Sequence, residues 1–502
     1  MKIVSPSQMS SIEAQAYRQG ASEADFMEEA GSGVALAVHD YAEVLRINPQ
    51  ILLLCGKGNN AGDAYVAGQH LLQLDYEVTA IQLFPINDSS DLCRHHHFQF
   101  VKNGGKVRSI EETPDQLFAE TGIIIDGIFG TGFHGKVPEE IAQVITKANE
   151  SRRPIFAVDI PSGLNGETGQ TEGAAIIATY TTFLGLPKSG FFLQNGWNHV
   201  GKLRYIDFGL SQELIEQADS DFVMLSPDMM HLLLPPLVRN RHKYEAGLVV
   251  GLAGSPNLPG AALLSSIAAL RSGAGIVKLL YPATMQGELA ASPYELIKLP
   301  YQTKNHEDVA KLLSPANAVF IGPGLGLSQD VVALLSFVIP KLQMPSVIDA
   351  DALTAIAQNK IALPQNAVLT PHMGELKRLM QINAKEQITL DMEFLKQCRS
   401  FATDKKTTLV VKGGPSFICH PGKAILVCPH GDPGMATAGS GDILTGLITS
   451  LLAQGMAPHD AAALGVYLHA LAGEGAAEHL SSYCMTAMDI LDYLPDAFFA
   501  LA

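Results

Sequence analysis

Short runs of apolar, often β-branched residues alternate along the chain with stretches whose apolar residues recur at helical spacing. The runs are Ile51–Cys55, Val78–Leu83, Ile123–Asp126 and Ile155–Val158, then Leu248–Leu252, Ile276–Leu280, Ala318–Ile321, Ser346–Ile348, Val368–Thr370 and Leu409–Val411. Such alternation predicts parallel sheets with helices on both faces, an α/β fold in each half. The first series ends near Tyr205–Leu210. A polar, acidic stretch, 211–221, then separates it from a new opening at Ser226-Pro227-Asp228, followed by Pro235-Pro236 and the basic run 239–243. The boundary falls at about residue 220, giving domains 1–220 and 221–502 with no internal repeat between them.

The richest local pattern is Gly434-Met435-Ala436-Thr437-Ala438-Gly439-Ser440-Gly441-Asp442-Ile443-Leu444-Thr445-Gly446. It follows an expected strand pair, Leu409–Lys412 and Ala424–Cys428. A helix should follow it, because Ile443, Leu444, Leu447, Ile448, Leu451 and Leu452 keep a 3.6-residue period until Gly455 and Pro458 close it. Gly439 and Gly441 let the backbone approach a ligand closely, so that N–H groups at the helix start point at an anion. Asp442 would repel a phosphate. It suits a base that takes a proton from a hydroxyl attacking a phosphoryl group.

The 502 residues suffice for two or three domains, and a formal charge of −16 excludes nucleic acid or an anionic membrane as the main partner. Six cysteines at 55, 93, 398, 419, 428 and 484 form no C-x-x-C pair, so they read as buried or incidental thiols in a reducing compartment, the cytoplasm. Neither a signal peptide nor a membrane-spanning apolar run is expected. His95-His96-His97 lacks metal-ligand spacing and reads as solvated surface.

In the first half, Ile51–Cys55 runs into Gly56-Lys57-Gly58-Asn59-Asn60-Ala61-Gly62-Asp63 and a helix, the generic strand–turn–helix phosphate site. The spacing Gly-x-Gly-x-x-x-Gly, with no acidic residue clearly ending the next strand, weakens a plain NAD dehydrogenase. Two later strand ends carry Asp126-Gly127-Ile128-Phe129-Gly130-Thr131-Gly132 and Asp159-Ile160-Pro161-Ser162-Gly163-Leu164-Asn165-Gly166. Asn60, Asp126 and Ser162 either offer oxygens to a hard cation or cap local turns, and Asp159 is a free acid or base.

These three ordered motifs resemble the NAD(P)H-hydrate epimerase domain, from Ser7 to about Leu210. The resemblance implies a Rossmann-like α/β/α sandwich that interconverts the R and S hydrates of NADH and NADPH and binds potassium. Asn60, Asp126 and Ser162 would hold K+. Asn59, Asn60, Ala61, Gly62 and Asp63, with Gly130, Thr131, Gly132, Phe133, His134, Gly135, Lys136 and Asp159, would contact the hydrate, with Asp159 as the proton-transfer group. Ala61 and Ala64 stand where the family often has Gly, and Glu167 where it often has Asp.

The second half adds Gly251–Ser255, Gly260-Ala261-Ala262, Arg271–Gly275, Gly322-Pro323-Gly324-Leu325-Gly326, Asp349-Ala350-Asp351-Ala352-Leu353, Thr370-Pro371-His372-Met373-Gly374-Glu375 and Val411-Lys412-Gly413-Gly414. No P-loop or protein-kinase motif occurs. From Ser226 onward this set resembles the ADP- or ATP-dependent NAD(P)H-hydrate dehydratase, a ribokinase-like α/β/α domain. The resemblance implies phosphorylation of the S hydrate by ADP with Mg2+, then loss of phosphate. Asp442 would be the base and the N–H groups from Ala438 to Gly441 the anion hole. Lys412, Gly413, Gly414, Pro415, Ser416, Gly439, Ser440 and Gly441 would meet the nucleotide, and Ala261, Gly324, His372 and Asp442 the hydrate. Asp432 replaces the family's usual Asn, and Asp349 and Asp351 are expected as helix caps rather than magnesium ligands.

The partners this implies are NADHX, NADPHX and ADP, with assembly into a homo-oligomer, a tetramer or higher. Two rival readings are a ribokinase-like kinase of a vitamin or sugar alcohol, resting on the second half alone, and a nucleotide-sensing module whose first domain is a scaffold.

Overall fold

Leu52 and Leu54 point to one side of the first sheet, into a core with Ile141, Val144 and Ile145. Ile51, Leu53 and Cys55 point to the other, against Val34, Val38, Ala64 and Leu71. A strand buried on both faces in this way must be flanked by two helical layers. The computed structural model describes residues 1–48, 50–111, 116–290, 292–383 and 385–502. They form two compact units, Met1–Phe222 and Val223–Ala502.

In the first unit β1 (Gln50–Cys55), β2 (Glu77–Gln82), β3 (Lys106–Ser109), β4 (Ile123–Gly127), β5 (Ile155–Val158), β6 (Tyr180–Leu184) and β7 (Lys202–Ile206) form one sheet. All pairs are parallel, in the order β3-β2-β1-β4-β5-β6-β7. Helices Glu23–Leu45 and Asn59–Gln73 cover one face, and Glu139–Glu150 the other. The strand order reverses between β1 and β4. Loops leaving the two strands diverge there and open a crevice at the carboxyl end.

The second unit's sheet contains β8 (Phe222–Met224), β9 (Leu248–Leu252), β10 (Ile276–Pro282), β11 (Ile297–Tyr301), β12 (Ala318–Ile321), β13 (Ser346–Ile348), β14 (Val368–Leu369), β15 (Thr408–Val411), β16 (Phe417–Cys419) and β17 (Ile425–Val427). Their order is β11-β10-β9-β12-β13-β14-β15-β16-β17-β8. Pairing is parallel from β11 to β15 and antiparallel for β15–β16 and β16–β17. The reversal here lies between β9 and β12.

Several strands escape the sequence pattern for physical reasons. β3 and β11 are edge strands with half-polar sequences, and β6 buries Thr181 and Thr182 by donating their hydroxyls to the carbonyls of Val200 and Ala157. The expected strand pair before the glycine loop is corrected: β16 stands between β15 and β17, so the two are not neighbours.

The surface reading of the histidine run is also corrected. Helix Asp91–Lys102 turns Cys93, His96, His97 and Phe100 inward at i, i+3, i+4 and i+7. The His97 ring meets Tyr65 edge-on with centroids 5.2 Å apart, and burial lowers the pKa of both inward histidines. Five cysteines are buried and Cys484 is exposed, all as free thiols. Among the described residues no helix is long and apolar enough to cross a membrane.

Helix Ser440–Ala453 packs against helix Pro259–Arg271 through Gly446, where an added Cβ would lie 2.0 Å from the Ser265 carbonyl oxygen. Gly446→Ala must therefore push backbone from backbone. It should cost about 1–3 kcal/mol and lower the thermal midpoint of the full-length protein.

Candidate functional site

Each crevice is built from loops at strand ends. In the first unit the loop after β1 presses against the loop after β4: the Gly56 N–H donates to the Gly127 carbonyl (3.1 Å). A Cβ at Gly56 would sit 1.8 Å from the Ile128 carbonyl oxygen, so only glycine fits. Helix Asn59–Gln73 then begins without a side-chain cap; the Ala61 and Gly62 N–H groups turn back to the Gly58 carbonyl (3.1 and 3.4 Å), which leaves those of Asn59 and Asn60 to meet an anion.

Asn60, Asp126 and Ser162 do meet. The Asn60 amide donates to the Phe129 carbonyl (3.1 Å), and the Ser162 hydroxyl donates to Asp126 (2.6 Å). The Ser162 and Ile128 N–H groups also donate to the Asp126 carboxylate, at 2.8 and 3.2 Å. Asp126 is fully buried, and burial lifts its pKa to about 6 against the lowering effect of these bonds. An all-oxygen cluster around a buried acid is chemistry that fits a hard monovalent cation. Among the described residues there is no group of three or more His, Cys, Asp or Glu side chains that could hold a metal ion.

Asp159 occupies a left-handed backbone conformation (φ 61°) just after β5. Its carboxylate accepts from the Leu184 N–H (3.0 Å) and from the ammonium of Lys188, which is fully buried and also donates to the Leu184 carbonyl (3.0 Å). Lys188 was missed in the sequence. Its signal was a single charge inside the apolar and small-residue run 183–193.

Asp63 is buried nearby and its pKa is raised well above the usual range by burial, then by Asp159 and Glu13. Asn59 lies at the rim, its amide donating to Glu23 (2.8 Å). Ala61 is buried beneath, and Phe133 stacks on Phe129 with centroids 4.4 Å apart. Gly132, His134, Gly135 and Lys136 are exposed on the same loop, whereas Gly130 and Thr131 are half-buried.

In the second unit helix Ser440–Ala453 starts behind Gly439 (φ 95°), again without a side-chain cap. Among the described residues no acceptor meets the N–H groups of Ala438, Gly439, Gly441 or Asp442. The Ser440 N–H instead turns back to the Thr437 carbonyl (3.4 Å), so the expected anion hole is corrected at that position. The Ser440 hydroxyl lies 3.3 Å from buried His469, whose pKa falls to about 4 through burial.

Asp349 caps the helix after β13 as expected, accepting from the Ala350 N–H (2.9 Å), and it does more. It accepts from Lys412 (2.9 Å) and from the Thr445 hydroxyl (2.7 Å). Lys412 also reaches the helix start: a Cβ on Gly441 would lie 3.3 Å from its Nζ. Half-buried Asp442 is raised to about 7 by burial and by Asp349, with Lys412 opposing.

Asp351 accepts from the Gly326 N–H (2.8 Å). Gly324 (φ 65°) packs on Ala261: a Cβ there would lie 3.3 Å from that of Ala261. His372 is exposed, not buried; its ring accepts from the Gly374 N–H (3.0 Å) and caps helix Met373–Leu379. Gly413 and Gly414 are exposed, with Ser416 folding back on the Gly413 carbonyl (3.1 Å) and Pro415 buried. Asp432 ties its loop by accepting from Gly434 (2.7 Å) and Ser482 (3.0 Å).

Residues 249–496 match the family described as NAD(P)H-hydrate dehydratase, and residues 23–190 match the YjeF-related protein N-terminus. The bifunctional NAD(P)H-hydrate repair enzyme of Moorella thermoacetica is 36% identical over 485 residues, spanning 93% of this chain and 91% of its own. The chain belongs to the bifunctional NAD(P)H-hydrate repair enzymes. The Escherichia coli K12 relative of that name is 32% identical over 448 residues, covering 88% of this chain and 84% of its own.

Among solved structures, the ADP/ATP-dependent NAD(P)H-hydrate dehydratase of Bacillus subtilis, co-crystallised with ATP/Mg2+, is 28% identical with a TM-score of 0.50, covering 55% of this chain and 98% of that one. A ribokinase-like superfamily protein of Enterococcus faecalis V583 gives 28% and 0.51, covering 57% and 98%. The second unit is thus ribokinase-like.

Within this repair-enzyme chain the Lys188–Asp159 pair makes a direct stability prediction. Lys188→Met leaves the Asp159 carboxylate without its ammonium in a largely dry place, which should cost roughly 3 kcal/mol. A thermal midpoint equal to the parent's would contradict the pairing.

Proposed function

We propose that the first unit epimerises the R and S hydrates of NADH and NADPH and that the second dehydrates the S form at the expense of ADP. The observation that carries this is Asp442: a carboxyl raised to about 7, at the head of an uncapped helix, beside Lys412. A base poised near neutrality next to anion-binding N–H groups suits phosphoryl transfer to a hydroxyl.

In this reading Asp442 takes the proton of the hydrate hydroxyl as its oxygen attacks the terminal phosphoryl group of ADP, releasing AMP. Lys412 and the N–H groups of Ala438, Gly439, Gly441 and Asp442 hold the charge on the transferred group. The ring nitrogen then pushes out phosphate, and loss of a proton from the neighbouring carbon restores the dihydronicotinamide. Because Asp349 is engaged by Lys412, Thr445 and Ala350, magnesium enters with the nucleotide's phosphates rather than on preformed carboxylates. A kinase of a vitamin or sugar alcohol would stop at a stable phosphoester; the first unit's fused crevice favours the repair reading.

In the first unit Asp159, held by Lys188 and the Leu184 N–H, transfers a proton to or from the oxygen on the hydrate carbon. Potassium, when bound by Asn60, Asp126 and Ser162, supplies a positive charge beside the crevice. His134 and Lys136, exposed on their loop, contact the hydrate's outer parts. Assembly into a homo-oligomer belongs to the same reading.

Three outcomes test it. Asp442→Asn should slow ADP-dependent recovery of NADH from S hydrate by about 10²–10⁴-fold while R–S exchange continues, and Asp159→Ala should do the reverse. Parental dehydration should rise with pH through about 7, because the base works only when ionised; a flat profile from pH 5 to 9 would remove Asp442 from that role. Potassium chloride should raise the thermal midpoint relative to tetramethylammonium chloride, and Asp126→Asn should abolish the difference.

A further inference from the structure

A carbon that bears a hydroxyl can be inverted if the hydroxyl departs from one face and returns on the other, and a proton-transfer group on each face assists both steps. Asp159 is one. Other ionisable groups share its crevice.

The helix Pro6–Arg18 precedes the residues matched by the epimerase family, 23–190, yet it is built into this crevice. Val4 forms a parallel bridge with Lys188: the Val4 N–H donates to the Pro187 carbonyl (3.0 Å) and the Ser189 N–H to the Val4 carbonyl (2.9 Å). Pro6 lies against Gly166, where an added Cβ would meet its Cγ at 2.9 Å. Met9 lies against Gly185, where a Cβ would meet its Cε at 2.9 Å. Gly185 follows Leu184, whose N–H holds Asp159.

Met9 and Ala16 are the buried inner face of this helix. Glu13 stands four residues after Met9 and three before Ala16, so it shares that face and looks toward the same strand end. It is half-buried, and no hydrogen-bond partner meets it among the described residues. We propose that Glu13 is the second proton-transfer group of the epimerase, acting opposite Asp159 across the hydrate carbon.

The electrostatics agree with the placement. Burial, then Asp159, then Glu23 push the Glu13 carboxyl up to about 7, with Lys188 pulling the other way. Asp63 also faces it, and Tyr17, one helical turn on, is pushed up to about 12 by burial and by Glu13, Glu23 and Asp63. Lys188 is committed to Asp159 and to the Leu184 carbonyl, so the Glu13 carboxyl faces the crevice raised toward neutrality.

The step then balances. The ring-nitrogen lone pair forms a C=N bond as the C–O bond breaks, and Glu13 gives its proton to the departing hydroxyl, which leaves as water. A water attacks the other face, the C=N electrons return to nitrogen, and Asp159 takes the proton. Exchange with solvent resets the pair. From the other epimer the roles reverse.

The inference rests on the epimerase reading of the first unit. The test uses the full-length protein and separated R and S hydrates of NADH. Glu13→Gln should reduce R–S exchange by about 100-fold or more with KM for hydrate changed less than about 2-fold. ADP-dependent conversion of pure S hydrate and the thermal midpoint should stay at parental values. Parental exchange should fall as pH rises through about 7, and that limb should vanish from the residual activity of Glu13→Gln. Glu13→Asp should restore part of the rate together with a limb. Exchange at the parental rate in Glu13→Gln, or residual exchange that keeps the parental limb, overturns the proposal. If the parental protein itself exchanges no epimers, the epimerase reading fails rather than the role of Glu13 within it.

Discussion

Taking a carboxylate out of water is costly unless something positive or protic replaces the solvent. Both crevices are organised around that cost. In the first, Asp159 accepts from a lysine with no exposed surface. In the second, Asp349 accepts from Lys412, Thr445 and a helix N–H. Among the described residues, others without such partners lie beside each anchored acid. Asp63 and Glu13 in one unit, and Asp442 in the other, are pushed toward neutrality by burial plus a nearby charge. Each site thus sets an anchored acid beside a shifted one.

The two sheets reach this arrangement with unrelated sequences and a shared winding. Each places its reversal beside its first core strand, β1 against β4 and β9 against β12, and each sends glycine loops into uncapped helix starts there. They differ in what closes the far side. The first sheet continues in parallel through β7, whereas the second turns antiparallel after β15. That turn, 412–416, lies beside the acid pair Asp349 and Asp442, with Lys412 at its base.

Much of this was legible in the sequence. Parallel strands buried on both faces announce themselves as apolar runs, and acids at their ends inside glycine-rich loops were found one by one. Asn60, Asp126 and Ser162 proved to be neighbours, as did Gly324 and Ala261. What stayed hidden had its partner far along the chain. Lys188 looks like a stray charge until Asp159 folds beside it, and Glu13 looks like one polar residue of an amphipathic helix. Edge strands β3 and β11 carry too little apolar patterning to stand out, and β6 hides behind threonines that bury themselves by bonding to backbone. His96 and His97 misled because adjacency in sequence concealed the i, i+4 spacing to Cys93 and Phe100.

The bridge between Val4 and Lys188 has a consequence for how the protein is made. Translation produces Val4 about 180 residues before its partner, an interval of roughly 10–40 s at ordinary elongation rates. Throughout that time the helix behind Val4 has no strand end on which to dock. The segment synthesised early is therefore among the last to find its place. Until then the apolar face of Met9 and Ala16 is without the surface that buries it in the folded unit.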